Sequence, residues 1–336
     1  MNISKYLSKK RNLILLPLIL LGYFLLRPAP SFKSHIEKSD SIRGVWVTNI
    51  ATSFFHHTTL LDNVFAHLAK SGYTHVYVSA YGFGGTLYPS QHIKSNPLVV
   101  PPFTDVLKAS EKEAQRQGLK LYAWLEYGLM LMSNDSIAIN NPDWLLKTAS
   151  GETVVDGFVW LNPEHPDVQQ YILAMIEEVA SYKGLAGIQF DDHWSVPRQF
   201  GNYTTAMNEL TAKVKQRLEK INPDFVFSLS PNPYGFSKEK YNQDWLKWAK
   251  RGYIDEVVIQ IYRSNAEEFE RSILTSEIHR LPKSMPVAIG IYAGNFGNFK
   301  TSSEIQKQID ISQSLGYGFS IFCWEYRILG TLSAKE

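Results

Sequence analysis

In the run Gly187-Ile188-Gln189-Phe190-Asp191-Asp192-His193-Trp194, a short apolar stretch breaks abruptly into two acidic residues, a histidine and a tryptophan. Adjacent carboxylates are expensive to desolvate unless they have partners or chemistry to perform, so 187–190 read as a buried strand and the next four residues as its exit into a cleft. Strand alternation puts Gln189 and Asp191 on one side and Phe190 and Asp192 on the other. Acid–base work by carboxyl groups fits such an exit. A metal centre on Asp191, Asp192 and His193, with His56 and His57 as a second nitrogen pair, fits less well. None of the nine histidines forms a His-x-x-x-His pair, and hydrolytic zinc sites use three spaced ligands. No metal and no cofactor is therefore expected. Serine chemistry lacks a Gly-x-Ser-x-Gly turn, and Ser228 and Ser230 fall in a strand without a nearby base.

The elements that must position Asp191 follow a repeated phrase. Strand-like segments at 44–49, 74–81, 120–126, 186–191, 225–230, 256–262, 286–292 and 318–324 alternate with helical patterns at 60–70, 103–117, 166–182, 204–220, 241–251, 266–280 and 302–314. Several helices end in a glycine, such as Gly72, Gly118, Gly184, Gly252 or Gly316. Eight strands too uniformly apolar to face water, joined by crossover helices, predict an α/β fold, a (β/α)8 TIM barrel. An open doubly wound sheet is the alternative, and no Gly-x-Gly-x-x-Gly turn after the first strand supports it. Residues 328–336 are too few for a full closing helix, so 31–41 or another segment is expected to cover that gap.

With 336 residues, 44% hydrophobic and 13% aromatic, the chain has ample material for a large core. A formal charge of +2 provides no basic stripe, which argues against nucleic-acid binding. The single cysteine, Cys323, excludes an internal disulfide and reads as a buried apolar residue. Residues 1–30 form a separate unit: Lys5, Lys9, Lys10 and Arg11 precede an apolar run, 13–26, interrupted by Pro17 and Gly22. This is an export element, either a cleaved signal peptide or an N-terminal membrane anchor. It is followed by a linker, 31–41, and the barrel domain, 42–336. Both readings place the barrel outside the cytoplasm, periplasmic or at the cell envelope, and an uncleaved segment would attach it to the membrane.

A barrel concentrates function at the C-terminal ends of its strands. Those ends carry Asn49, Tyr81, Glu126, Asp191, Asp192, His193, Asn232, Gln260, Tyr262, Tyr292 and Glu325. With Trp124, Tyr127, Trp194 and Trp324 they make a rim of carboxyls, amides and aromatic rings. Aromatic faces stack on the apolar faces of sugar rings while amides and hydroxyls bind the edges, so the rim predicts a carbohydrate cleft.

Several segments carry a family resemblance. They are Arg43-Gly44-Val45-Trp46-Val47-Thr48-Asn49, Leu87-Tyr88-Pro89-Ser90, Tyr122-Ala123-Trp124-Leu125-Glu126-Tyr127-Gly128, Asn141-Pro142-Asp143-Trp144-Leu145, Trp160-Leu161-Asn162-Pro163, Gly187 to Asp192 and Trp324-Glu325. Over about residues 42 to 327 the chain resembles the glycosyl-hydrolase-like family 10 proteins, long described as a domain of unknown function. The resemblance implies an exported TIM-barrel glycosidase acting on a polysaccharide or peptidoglycan-like glycan of the envelope. It also implies that the accessory C-terminal module of longer members is missing here.

Hydrolysis of a glycosidic bond needs two carboxyl groups, one to donate a proton and one to act as nucleophile or as base on water. Asp191 is assigned to the barrel mouth by resemblance to barrel glycosidases whose fourth strand ends in a catalytic Asp, with Asp192 in support, orienting His193 or an arginine. The second carboxyl is Glu325, which resembles a family position beside Trp324, or Glu126 beside Trp124 and Tyr127; Asp192 is a third candidate. Retaining and inverting chemistry both stay open. The alternative function is a non-catalytic glycan-binding or scaffolding barrel.

Overall fold

The computed structural model describes residues 28–33, 41–83, 85–95, 97, 100–101 and 104–333. The basic and apolar stretch expected to drive export, up to residue 27, and 34–40 of the expected linker lie outside the described residues.

Eight parallel strands form the centre: β1 (Arg43–Val47), β2 (His75–Gly82), β3 (Lys120–Leu125), β4 (Gly187–Phe190), β5 (Val226–Leu229), β6 (Glu256–Gln260), β7 (Val287–Tyr292) and β8 (Gly318–Phe322). Each pairs with its neighbours in chain order, and β1 pairs with both β2 and β8, which closes the barrel. The strands are buried on both faces because helices cover their outer sides; all eight residues of β2 are buried. Those helices are α1 (Asn49–His57), α2 (Leu61–Lys70), α3 (Val106–Gln117), α4 (Pro166–Ala180), α5 (Thr204–Ile221), α6 (Tyr234–Tyr241), α7 (Trp245–Lys250), α8 (Ala266–Thr275), α9 (Ser302–Ser314) and α10 (Trp324–Ser333). Their starts follow local chemistry. Asp105 accepts a hydrogen bond from Lys108 N at 2.8 Å and Thr301 one from Glu304 N at 3.2 Å, each occupying an orphan donor of the first turn. Gly118 ends α3 at φ 71°, the left-handed turn that costs glycine least.

Two expectations are corrected. The last strand stops at Phe322, and Trp324–Ser333 is a helix that itself closes the ring against β1 and the hairpin Gly294–Asn295/Asn298–Phe299. The segment 28–33 lies elsewhere, along α2 and α3. Ala29 N donates to Asp62 Oδ2 at 2.7 Å, Phe32 N to Gln117 Oε1 at 2.9 Å, and Gln117 Nε2 to Pro30 O at 2.8 Å. Helix α1 was also not foreseen. Its outer face carries Ile50 and Phe54, each 57% exposed, which blurs the apolar period that would have announced it.

The barrel interior is aromatic and hydrogen-bonded rather than purely apolar. Trp46 Nε1 donates to Gln189 Oε1 at 2.7 Å, and Gln189 Nε2 to Ser228 Oγ at 2.9 Å. Ser228 Oγ donates to Glu256 at 2.7 Å, and Tyr77 and Tyr122 donate to the same buried carboxyl at 2.9 and 3.2 Å. Cys323 is buried among these rings, as its apolar context predicted. Among the described residues no helix is long and apolar enough to cross a membrane.

Candidate active site

The β4 parity holds. Gln189 points into the barrel, Phe190 packs outside it on Phe227, and Asp191 comes next, 8% exposed, on the interior side of the mouth. Its Oδ1 accepts N–H bonds from Asp192 N at 2.8 Å and from Gln260 Nε2. Asn232 Nδ2 donates to Asp192 Oδ2 at 2.6 Å, and His193 Nε2 lies 3.9 Å from Asp192 Oδ1. Burial and the Asp192 charge push the Asp191 pKa well above the carboxylate range, and the charge of Glu126 adds to the rise.

Glu126 follows the last residue of β3. Its N–H donates to Tyr81 O at 2.9 Å, and its carboxyl lies over Gly82, where a Cβ would sit 2.8 Å from Glu126 Cδ. Burial raises its pKa to about 7, with Ser79 and His193 opposing and Glu325 assisting. Glu325 does not end a strand, as the sequence suggested, but stands in the first turn of α10. Its Oε1 accepts from Thr48 N at 3.3 Å, and burial raises its pKa also. Glu126 and Glu325 share a cavity of about 540 Å3 whose other walls include Thr48, Phe54, Phe83 and Trp324.

The loops after β3 and β4 are stapled together. His193 Nδ1 meets Glu126 O at 2.9 Å, Leu129 N donates to His193 O at 3.1 Å, and a Cβ on Gly128 (φ +55°) would lie 2.7 Å from that oxygen. Only glycine fits there. The long connection after β3 folds into a small sheet, Met130–Leu131, Val154–Val155 and Phe158–Trp160, and the rings of Phe158 and Trp160 flank His193 at 6.4 Å each.

The structure thus brings Asp191, Asp192, His193, Asn232, Gln260 and Tyr262 together on one side of the mouth and Glu126, Glu325, Asn49 and Trp324 on the other. Trp124 forms the floor between them, edge-on to Phe322 with centroids 6.0 Å apart, and Phe322 in turn stacks with Tyr262 and Tyr292 at 5.6 and 6.3 Å. Phe322, Gly82 and Phe83 were missed: a phenylalanine in an apolar strand and a glycine at its end carry no chemical signal of their own. Three aromatic expectations are overturned. Trp194, 0% exposed, stacks on Phe190 at 4.2 Å and donates Nε1 to Thr211 Oγ1 of α5, behind the barrel wall. Tyr81, 1% exposed, is turned outward beside Tyr171 of α4, because the β2–β3 register shifts between Ser79 and Tyr81 and reverses the alternation. Tyr127 packs on Tyr81 at 5.4 Å and shares that outer layer. The amides also differ from expectation in what they face. Asn49 Nδ2 donates to Phe83 O and its Oδ1 accepts from Ile50 N, so its amide ties α1 to the loop after β2; those of Asn232 and Gln260 hold carboxyls.

Ligand atoms of Asp191, Asp192 and His193 lie within 4.8 Å of one another. N–H donors from Asn232 and Gln260 already point at those carboxylate oxygens, while His193 Nδ1 meets Glu126 O and leaves Nε2 toward Asp192. Donors aimed at the oxygens suit an acid–base pair better than a cation.

Comparison with known proteins bears on the family and the fold. The model of the family described as glycosyl hydrolase-like 10 matches residues 41–209 and 203–311. The glycosyl hydrolase DigH of Escherichia coli K12 is 25% identical over 299 residues, covering 67% of this chain and 66% of that protein. The glycosyl hydrolase YngK of Bacillus subtilis strain 168 is 20% identical over 310 residues, covering 73% and 58%. The chain therefore spans about two thirds or less of these relatives. Among solved structures, the glycoside hydrolase domain of PgaB (BpsB) from Bordetella bronchiseptica superposes with a TM-score of 0.69 at 15% identity, covering 88% of this chain and 97% of that one. The α-galactosidase AgaA of Geobacillus stearothermophilus reaches 0.55 at 15% identity, covering 88% and 41%.

Proposed function

The chain belongs to the glycosyl hydrolase-like 10 family, and on that premise we propose that it hydrolyses glycosidic bonds of an extracytoplasmic, cell-wall or envelope glycan, with Asp191 and Glu126 as the working carboxyl pair. The observation that carries this reading is how the two carboxyls are mounted: Asp191 is held through one oxygen by two N–H donors, and His193, next to Asp192, bonds Glu126 O, so the loops bearing Asp191 and Glu126 are fixed against each other. The two N–H donors fix the orientation of the Asp191 carboxyl against the burial and the Asp192 charge that raise its pKa, and as the anion it would face positive charge developing at the anomeric carbon. Glu126, with a pKa near 7, carries a proton at mildly acidic pH for the departing sugar oxygen. Glu325 is a supporting carboxyl whose charge keeps that proton on Glu126. Tyr262 and Tyr292 offer sugar-stacking faces, with Trp124 packed beneath them through Phe322. The apolar start of residues 1–30 supports a location outside the cytoplasm.

The test is release of oligosaccharides by the purified protein from peptidoglycan and from a panel of neutral polysaccharides. The wild type should release products from an envelope glycan, and Asp191→Asn should lose at least about a thousandfold in rate while keeping its fold and its glycan binding. Asp191→Asn activity within a few fold of wild type would remove Asp191 from the mechanism. Binding without release by the wild type would favour a scaffolding barrel instead.

A further inference from the structure

Beside the mouth, at the ends of β6 and β7, lies a second cavity of about 320 Å3, lined by Tyr262, Arg263, Ser264, Tyr292, Asn298 and Lys300. Its two cations are held by neutral groups. Arg263 Nε donates to Ser272 Oγ at 2.8 Å and its Nη1 to Tyr262 O at 3.0 Å, which fixes the guanidinium plane and leaves Nη2 without a partner in that arrangement. Lys300 Nζ donates to Arg263 O at 2.6 Å and to Gln308 Oε1 at 3.0 Å. Among the described residues neither cation forms an ion pair. Glu304 acts on Lys300 only at longer range, and burial lowers the lysine to about 8. Gln308 relays Lys300 to the Glu304 carboxylate, accepting from Nζ and donating Nε2 to Glu304 Oε1 at 3.1 Å, so two partly buried cations have no carboxylate in direct contact.

Tyr262 joins this cavity to the carboxyl pair. Its ring lies 5.4 Å from that of Tyr292, and the charges of Asp191 and Asp192 act on its hydroxyl. A sugar stacked on these rings would direct a substituent toward Arg263 and Lys300. The mouth itself is acidic, with Asp191, Asp192, Glu126 and Glu325, so a negatively charged glycan would be repelled from it unless cations stood ready beside it. A neutral glycan would make no use of either positive charge.

We propose that this cavity is a subsite for an anionic group on the glycan, a carboxylate or a phosphate, recognised by the Arg263 fork and the Lys300 ammonium. The proposal rests on the glycan-cleft reading above. Its test is therefore binding to the Asp191→Asn protein, independent of turnover. Calorimetric titration uses three probes: a tetrasaccharide of alternating N-acetylglucosamine and glucuronate, the same oligomer after reduction of its carboxylates to alcohols, and an oligomer of glycerol phosphate. At least one charged probe should bind roughly tenfold or more tighter than the reduced tetrasaccharide, and the preferred one identifies the anion. Arg263→Gln and Lys300→Gln should each erase most of that preference while leaving the reduced oligomer within about twofold. Arg263→Lys should restore part of it. Equal binding of charged and reduced probes, or failure of both charged probes to bind, overturns the subsite whatever the wild type hydrolyses. Variants that weaken every probe alike, with lowered melting temperatures, would assign Arg263 and Lys300 a structural role and overturn it equally.

Discussion

At the scale of single residues, the pKa of Glu126 decides which carboxyl serves as acid and sets two observable pH effects. A proton donor with a pKa near 7 predicts that activity falls as the pH rises through about 7. Because Glu325 contributes to that rise, Glu325→Gln should move the alkaline limb of the profile to lower pH, whereas Glu126→Gln should cripple natural glycans and spare substrates with an activated phenolic leaving group. The reverse pattern would exchange their roles. Stability falls with rising pH as well, over a lower window. The folded-state pKa is raised above the ordinary 4.5, so the folded protein binds more protons than the unfolded chain between about 4.5 and 7, and stability declines across that window as the pH rises. Glu126→Gln removes the penalty. Its melting temperature should exceed that of wild type at pH 8, by an amount corresponding to at most about 3.5 kcal/mol, and match it near pH 4.5. A less stable Glu126→Gln protein at pH 8 would mean that the charged carboxyl is better solvated in the fold than its surroundings suggest.

At the scale of elements, the end of β2 shows how one inserted residue sets the site. The β2–β3 pairing steps from Ser79–Trp124 directly to Tyr81–Leu125, leaving Ala80 as the extra residue. Tyr81 is thereby turned out of the barrel and Gly82 turned in, under the Glu126 carboxyl. A methyl group at Gly82 meets only the far end of a flexible side chain, so Gly82→Ala should cost little stability yet displace the carboxyl, lowering activity by about a hundredfold. Gly187→Ala is the contrast. Its Cβ would lie 2.2 Å from Val226 O, a backbone atom that cannot give way, so it should destabilise the barrel by about 1–3 kcal/mol or more. Thermal melts and rates on the two variants separate these effects; equal loss of stability in both would mean that the bulge region is as rigid as the barrel wall. The same bulge marks where sequence reading stops. Alternation correctly put Gln189 and Asp191 on one side, because β4 is regular up to Phe190, while the choice of that side as the interior came from the family resemblance. It failed for Tyr81 because a bulge has no signature in residue types, and for Trp194 because the chain had already left the strand. The eight strands were legible because apolar runs between glycine-ended helices leave few alternatives. Helices α1 and α10 were not, since Thr48-Asn49 and Trp324-Glu325 look like strand ends when the helix that follows is short or carries apolar residues outward.

At the scale of the whole molecule, the segment 28–33 separates what belongs to the fold from what belongs to location. Gln117 is fully buried, and its amide is satisfied by Phe32 N and Pro30 O. Removing residues 1–33 strips both partners from a buried amide and should destabilise the barrel by about 1–3 kcal/mol. Removing residues 1–27 leaves those bonds in place and should leave the melting temperature unchanged. The basic-then-apolar order of the first 27 residues argues for export. A reporter that is active only in an oxidising compartment, fused after about residue 45, should therefore give signal in cells, and the same fusion without residues 1–27 should be silent. Signal from both or from neither would sink the export argument and, with it, the assignment to an envelope glycan. It would leave the hydrolase reading intact, since the carboxyl pair at the barrel mouth does not depend on where the protein resides.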